Sequence, residues 1–265
     1  MNDTTKAKFN KVREILQGKK VLVAVSGGVD SSVLASIAAE SAQEAVFLTV
    51  DSSIVTAPDR KNLENFAEIL GTEPVTIEFD WIAHENLANN PPERCYNCKR
   101  KLASLWREEA KSRGLDMVIE GTNASDLDKH RPGIKALKEF GIRSPLAEGG
   151  ITKREIREYA AAHNLPAADS PSSTCLATRF PSGTEITQER LEKIEAAEGI
   201  IRHLFDVQCV RARYHGDLVR IEVGHGEREN LFDSAKLDVL HRKLKNLGFE
   251  YITMDAYGYQ SGSMA

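Results

Sequence analysis

Hydrophobic and polar residues alternate along this chain in two kinds of block. Short apolar runs of strand length, Val21-Leu22-Val23-Ala24-Val25, Ala45-Val46-Phe47-Leu48-Thr49-Val50, Val75-Thr76-Ile77-Glu78-Phe79 and Met117-Val118-Ile119-Glu120, punctuate longer amphipathic stretches. The pattern predicts helices over 8–16, over 31–42, around Leu63, Phe66, Ile69 and Leu70 with Gly71 as a stop, and over 98–112 after Asn89-Asn90-Pro91-Pro92. Strands alternating with helices predict an α/β fold, a doubly wound parallel sheet with helices on both faces. Such sheets bind ligands beyond the carboxyl ends of their strands. Ser26, Asp51 and Gly121 fall at three of those ends, so their loops are expected to converge on one crevice.

The pattern changes near residue 166, where Pro166 through Thr174 is rich in Pro, Ser and Ala and reads as a loop. A helix is expected over 187–205, with Leu191, Ile194, Ile201 and Leu204 on one stripe. Two period-two strands follow. Val210, Ala212 and Tyr214 face opposite to Arg211 and Arg213, and Val219, Ile221 and Val223 face opposite to Leu218, Arg220 and Glu222. A helix bearing Leu237, Leu240, Leu244 and Leu247, the strand Tyr251-Ile252-Thr253-Met254 and a tail from Gly258 to Gly262 complete a small α+β domain. The expected division is 1–168 for the first domain and 169–265 for the second, a substrate or oligomerisation domain. No internal repeat or low-complexity tract is visible.

With 265 residues, 41% of them hydrophobic, the chain can bury one large core or two modest ones. The net charge of −4 lacks the basic bias of non-specific nucleic-acid binders, so nucleic acid is not expected as a partner. No run approaches the roughly 18 apolar residues of a membrane helix, and the polar start Met1-Asn2-Asp3-Thr4-Thr5-Lys6 lacks a signal core. A soluble, cytoplasmic protein is expected. Its four cysteines are few for a disulfide scaffold and read as metal, cluster or reactive thiols.

The sharpest chemical signal is Ser26-Gly27-Gly28-Val29-Asp30-Ser31-Ser32, directly after the first strand. Glycines let backbone N–H groups approach an anion, and the following helix points its positive end at it. Ser26, Ser31 and Ser32 add hydroxyl donors, and Asp30 beside phosphates calls for a metal ion, so a nucleotide site with Mg²⁺ is expected. A Walker A lysine is absent. The heptapeptide instead resembles the SGGxDS loop of the PP-loop ATP pyrophosphatases. That resemblance implies ATP cleaved between its α and β phosphates, giving an adenylylated substrate and pyrophosphate.

Cys95-Tyr96-Asn97-Cys98 is flanked by Arg94 and Lys99, and Cys175 lies far along the chain in the interdomain loop. Cations favour thiolate. The three cysteines suit a four-iron cluster with one open iron, a zinc site completed by Cys209 or a His, a Cys95–Cys98 redox pair with Cys175 acting alone, or inert buried thiols. Cys209, within a strand, reads as structural. Arg211 and Arg213, joined by Arg220, suit phosphate or carboxylate; a solvated strand face paired with Glu222 is an equal alternative. The loop from Asn123 to Gly133 is either a substrate loop or a solvated turn. None of the seven His has a metal-pair neighbour.

Taken with Arg131-Pro132-Gly133, Arg143-Ser144-Pro145-Leu146, Cys175-Leu176-Ala177-Thr178-Arg179-Phe180-Pro181 and the tail, nearly the whole chain resembles the LarE family. The resemblance implies an ATP-dependent sulfur transferase acting on pyridinium-3,5-biscarboxylic acid mononucleotide, a precursor of the nickel-pincer nucleotide cofactor. It implies two styles of sulfur donation: sacrifice of one interdomain cysteine, or sulfide passed from a four-iron four-sulfur cluster held by three cysteines. Cys95, Cys98 and Cys175 place this chain with the cluster style, and Cys175 lies in the right loop for either. The expected nucleotide and substrate contacts are Ser26, Gly27, Gly28, Asp30, Ser31, Ser32, Asp51, Gly121, Arg131, Arg211 and Arg213, with Asp30 on the metal. A homo-oligomer, and sulfur-donor or cluster-assembly proteins as partners, are expected. Alternatives are a PP-loop tRNA thiolation enzyme, a non-catalytic nucleotide- or cluster-binding protein, and an amide-forming PP-loop ligase.

Overall fold

The structure, a computed structural model, describes residues 2–127, 132–165, 168, 170–171, 173–260 and 264. In chain order the elements are α1 (Asp3–Leu16), β1 (Lys20–Ala24), α2 (Val29–Ser41), β2 (Glu44–Asp51), α3 (Ala57–Leu70), β3 (Val75–Glu78), α4 (Glu85–Ala88), α5 (Arg94–Ser112), β4 (Met117–Ile119), α6 (Ala124–Leu127), α7 (Pro132–Glu139), α8 (Pro145–Glu148) and α9 (Lys153–Ala162). A 3-10 turn (Leu176–Arg179) then leads to α10 (Gln188–Phe205), β5 (Val210–His215), β6 (Leu218–Val223), a second 3-10 turn (His225–Leu231), α11 (Ser234–Asn246) and β7 (Tyr251–Met254).

The chain divides into two compact units. The first holds 1–52, 57–79 and 93–173; the second holds 53–56, 80–92 and 174–265. Two short stretches of the N-terminal half thus belong with the C-terminal unit.

In the first unit the strands lie in the order β3-β2-β1-β4, all parallel. Period-two burial sorts the side chains of β1 onto two faces. Val21, Val23 and Val25 join one core with Phe9, Val33, Ile37 and Tyr159 from α1, α2 and α9. Leu22 and Ala24 join the other with Ala103, Trp106 and Leu137 from α5 and α7. Both sheet faces are therefore covered, as the near-continuous apolar runs predict. The strand order reverses between β1 and β4, which makes their carboxyl ends the topological switch point.

Three helices, α1 (from Asp3 rather than residue 8), α2 and α5, start earlier than the periodicity predicts. Gly28 is the N-cap of α2, so Val29 and Asp30 are already helical. Glu93 caps α5, its carbonyl accepting from Asn97 N–H at 2.9 Å, which brings Cys95 and Cys98 inside the first turns. Pro92 cannot continue a preceding helix and leaves Glu93 free to open the next.

In the second unit β5 and β6 are antiparallel and β7 is parallel to β6. α10 begins on a Thr187 side-chain cap and packs Leu191, Ile194 and Ile201 into that unit's interior. Among the described residues no helix is long and apolar enough to cross a membrane.

Candidate functional site

The loop from Ser26 to Ser32 is built to present N–H groups. Gly27 has φ +76°, and a Cβ there would lie 2.2 Å from the Asp59 carbonyl oxygen. Only glycine permits both the conformation and the approach. Ser31 Oγ donates to Gly28 O at 2.9 Å and accepts from Ser26 N–H at 3.2 Å, closing the turn on itself. Ser32 Oγ also donates to Gly28 O, at 3.1 Å. The N–H groups opening α2 have no intrahelical acceptors and no capping side chain, since glycine is the N-cap. That is an anion site in waiting.

Gly121, just past β4, meets this loop from the other side of the switch point. A Cβ on it would lie 2.9 Å from Ser31 N and 3.1 Å from Asp30 C. Asp51 ends β2, where its carbonyl accepts from Phe79 N–H at 2.9 Å. The neighbouring Ser52 is buried, with no hydrogen-bond partner for its hydroxyl among the described residues. Arg131 lies outside the described residues.

Asp30 does not stand alone. Its Oδ2 accepts from Lys153 Nζ at 2.6 Å and its Oδ1 from Asn123 Nδ2 at 3.2 Å. Lys153 is the first residue of α9, and Thr152 and Glu155 form a reciprocal capping box that fixes where that helix starts. Sequence reasoning missed Lys153. The Thr152–Glu155 spacing announces a helix start, but nothing local ties that start to a loop more than a hundred residues away in the chain. The Arg143-Ser144 segment lies along β4: Arg143 N–H donates to Val118 O at 3.0 Å, and Ser144 Oγ donates to Glu120.

Cys95 and Cys98, three apart in one helix, share a face. Cys95 is exposed and its sulfur is 3.7 Å from Arg94 Nη2. All four cysteines are thiols. Cys95 and Cys98 belong to the first unit and Cys175 to the second. Among the described residues no group of three or more His, Cys, Asp and Glu is gathered for a metal ion.

Within the second unit, Cys175 sits where Arg179 secures the backbone. Arg179 is 1% exposed and donates two hydrogen bonds to Glu198, from Nε at 2.7 Å and Nη2 at 3.2 Å. Its Nη1 reaches Thr174 O at 2.9 Å, Thr174 Oγ1 at 2.7 Å and Cys175 O at 3.2 Å. Leu176 N–H donates to Ile54 O at 2.8 Å, fixing the other side. Burial pushes the Arg179 guanidinium down, but Glu198 outweighs it and holds the group above its ordinary value.

The face carrying Arg211 and Arg213 is not solvated. They are 5% and 4% exposed, and Glu222 is fully buried. Arg213 donates from Nε and Nη2 to Glu222 Oε2, at 2.9 and 2.7 Å, and from Nη1 to Thr178 O. Arg220 Nη2 reaches Glu222 Oε1 at 3.0 Å, and Arg211 Nη1 donates to Val210 O at 2.7 Å. The pairing with Glu222 foreseen in the sequence is present, but buried, because the tail and the 3-10 turn cover this face. Arg211 is held below its ordinary value, first by burial and then by Arg179. Arg179, Arg211 and Arg213 lie among the buried residues of the second unit together with Glu198 and Glu222. Cys209 is buried, its thiol pushed up by that burial, consistent with a structural part.

Residues 12–124 match the asparagine synthase family. A protein of Synechocystis sp. described only as uncharacterized is 38% identical over 246 residues, 92% of this chain and 91% of that protein. The pyridinium-3,5-bisthiocarboxylic acid mononucleotide synthase of Lactiplantibacillus plantarum is 30% identical over 248 residues, 93% of this chain and 89% of the synthase. The glutamine-hydrolyzing GMP synthase of Campylobacter jejuni subsp. doylei is 33% identical over 136 residues, 48% of this chain and 26% of that enzyme.

Proposed function

Because this chain belongs to the LarE family of ATP-using PP-loop enzymes, we propose that it adenylylates a carboxylate of pyridinium-3,5-biscarboxylic acid mononucleotide and replaces an oxygen with sulfur. The observation that carries the reading is the loop from Gly27 to Ser32 at the β1–β4 switch point, with Lys153 2.6 Å from Asp30.

In the first step a substrate carboxylate oxygen bonds to the α phosphorus of ATP and pyrophosphate leaves. The backbone N–H groups of the loop that opens α2 stabilise the charge that collects on the leaving group. Gly121 keeps the approach to that loop clear, Asp51 and Ser52 border the nucleoside end, and Arg131 is assigned to phosphate on the family resemblance. Asp30 suits Mg²⁺, a hard ion held through one or two carboxylates plus substrate phosphates; when bound, Mg²⁺ neutralises phosphate charge. Lys153, beside Asp30, would serve the phosphates as a second cation.

In the second step a sulfur nucleophile attacks the acyl carbon and AMP leaves. A carboxylate oxygen is a poor leaving group as oxide and a good one as AMP. Arg211 and Arg213 are assigned to the substrate's phosphate or its second carboxylate, since planar guanidinium groups suit either. Cys175, whose main chain is held by Arg179 and Ile54, is assigned as the sulfur donor: its thiolate displaces AMP to give a thioester, and loss of its Cα proton with cleavage of the Cβ–S bond leaves dehydroalanine on the protein and the thiocarboxylate on the product. The C-x-x-C face favours a second donor reading, in which Cys95, Cys98 and Cys175 hold a four-iron four-sulfur cluster that supplies sulfide. Two of those thiols are neighbours on α5; the third belongs to the other unit.

The test is anaerobic turnover of the Cys95→Ala and Cys175→Ala variants with ATP, Mg²⁺ and substrate. Pyrophosphate release with no sulfur-bearing product in Cys175→Ala supports the assignment. Unchanged sulfur product in that variant refutes it. Loss of product in Cys95→Ala, together with loss of visible absorbance after iron and sulfide reconstitution, favours the cluster, whereas a protein mass lowered by one H₂S favours sacrifice of Cys175.

A further inference from the structure

One carbonyl of the second unit gathers more donors than its place in the chain requires. Cys175 opens the 3-10 turn Leu176–Arg179, and its oxygen accepts from Thr178 N–H at 3.0 Å. That is the i to i+3 bond of any such turn, and it satisfies the backbone by itself. Two further donors reach the same oxygen. Thr178 Oγ1 lies 2.8 Å from Cys175 O, and Arg179 Nη1 lies 3.2 Å from it. A main-chain carbonyl has two lone pairs, so three donors are one more than a neutral oxygen accommodates well.

The donors are held from behind. Glu198 takes Arg179 Nε and Nη2, which leaves Nη1 to the turn, and Glu198 Oε1 also accepts from Ala212 N–H at 3.1 Å. Arg213 Nη1 donates to Thr178 O at 3.0 Å. Arg179 Nη1 shares its hydrogens among Thr174 O, Thr174 Oγ1, Thr178 Oγ1 and Cys175 O, and the last of these is the longest contact. A neutral carbonyl competes poorly for such hydrogens. An oxyanion in its place wins them, because hydrogen bonds to ionised acceptors are about twice as strong, and more so in a buried site. A contact that is weak at rest and strong once charge develops is the kind that lowers a barrier.

Charge develops on that oxygen in one event, the elimination that follows thioester formation between Cys175 and substrate. The Cα–H bond of Cys175 breaks and its proton passes to solvent water. The electron pair left on Cα spreads onto the adjoining carbonyl oxygen as an enolate. It then forms the Cα–Cβ double bond as the Cβ–S bond breaks. Sulfur departs with the bonding pair as the thiocarboxylate, and dehydroalanine stays in the chain. No outside oxidant or reductant enters.

We propose that Thr178 N–H, the Thr178 hydroxyl and Arg179 Nη1 form an oxyanion hole for the Cys175 carbonyl, which makes Thr178 and Arg179 catalytic residues for sulfur release. The proposal rests on the reading of Cys175 as the sacrificed sulfur donor.

The test is a single anaerobic turnover of the full chain with ATP, Mg²⁺ and pyridinium-3,5-biscarboxylic acid mononucleotide, quenched at intervals. AMP and intact protein mass are read from each sample. Thr178→Val keeps the backbone N–H and the side-chain shape and removes only the hydroxyl donor; thermal melting without ligand checks that it is folded. AMP release, which accompanies thioester formation, is expected at the rate of the starting protein. Conversion of the thioester mass to the dehydroalanine mass is expected to slow ~100-fold, and Thr178→Ser should restore most of that rate. Elimination in Thr178→Val at the starting rate, or AMP release slowed as much as elimination, overturns the proposal. If the starting protein itself yields neither thioester nor dehydroalanine, the donor reading fails and the proposal falls with it. If it yields both and the rate in Thr178→Val is unmoved, the donor reading stands and only the oxyanion hole fails.

Discussion

Lys153 Nζ stands 2.6 Å from Asp30 Oδ2, joining the first residue of α9 to the first turn of α2. The pair puts a cation beside the one carboxylate in a loop otherwise lined by N–H and hydroxyl donors. Without the lysine, the incoming phosphates lose one of the two cations assigned to them. Lys153→Ala is therefore expected to lower pyrophosphate release from ATP and substrate by ~100-fold. The melting temperature should change little, since the side chains are 29% and 26% exposed. Turnover within about twofold of the starting enzyme would contradict the role given to Lys153.

Gly121 leaves no room for a methyl group between β4 and α2. Gly121→Ala places a Cβ 2.9 Å from Ser31 N and must push the loop or the strand end aside. A stability loss of ~1–3 kcal/mol is expected, with a larger proportional loss in ATP affinity. Urea unfolding and nucleotide titration measure the two. An alanine variant that binds ATP normally would mean the strand end yields without disturbing the anion site.

The loop itself was legible because its chemistry is local. A β-branched strand, two glycines and hydroxyl residues in sequence specify the turn and the helix start that follows it. The parallel sheet was legible for a similar reason, since its buried strands are near-continuous apolar runs. Lys153 was not, because its partner Asp30 is brought to it only by the sheet. The face of Arg211 and Arg213 was half legible. Alternation showed that the arginines share a face and named Glu222 as a partner, but a charged alternating strand reads as solvated until Tyr259 and Arg179 are folded onto it. The start of α5 was missed for a subtler reason: Glu93 offers a backbone cap without a capping side chain, so no Ser, Thr, Asp or Asn announces it.

Glu155 couples acid stability to the first helix. Burial pushes its carboxyl up, but Lys8, the Thr152 N–H and hydroxyl, and the Thr5 hydroxyl outweigh that and hold it at about 2, below its ordinary 4.5. A carboxyl with a depressed folded-state pKa adds stability that is fully present above the unfolded value and lost as pH falls toward the folded one. The urea midpoint should therefore drop as pH falls from about 4.5 toward 2. Glu155→Gln should flatten that part of the profile and cost ~1–3 kcal/mol at neutral pH. An unchanged acid limb in the variant would show that other carboxyls set it.

Glu222 is fully buried between Arg213 and Arg220. Removing one member of a buried ion pair leaves the other charge without compensation, so Glu222→Ala should lose ~3–5 kcal/mol. Urea unfolding of the purified variant reads this directly. A loss under about 1 kcal/mol, the range of exposed pairs, would mean that solvent reaches the arginine face.

The most direct test of the whole account labels the acid rather than the protein. Substrate carrying heavy oxygen in its carboxylates is turned over anaerobically with ATP and Mg²⁺, and the AMP is weighed by mass spectrometry. If the acid is adenylylated and sulfur then displaces AMP, one labelled oxygen appears in AMP for each sulfur gained by the product. Unlabelled AMP, or ADP in its place, would contradict it.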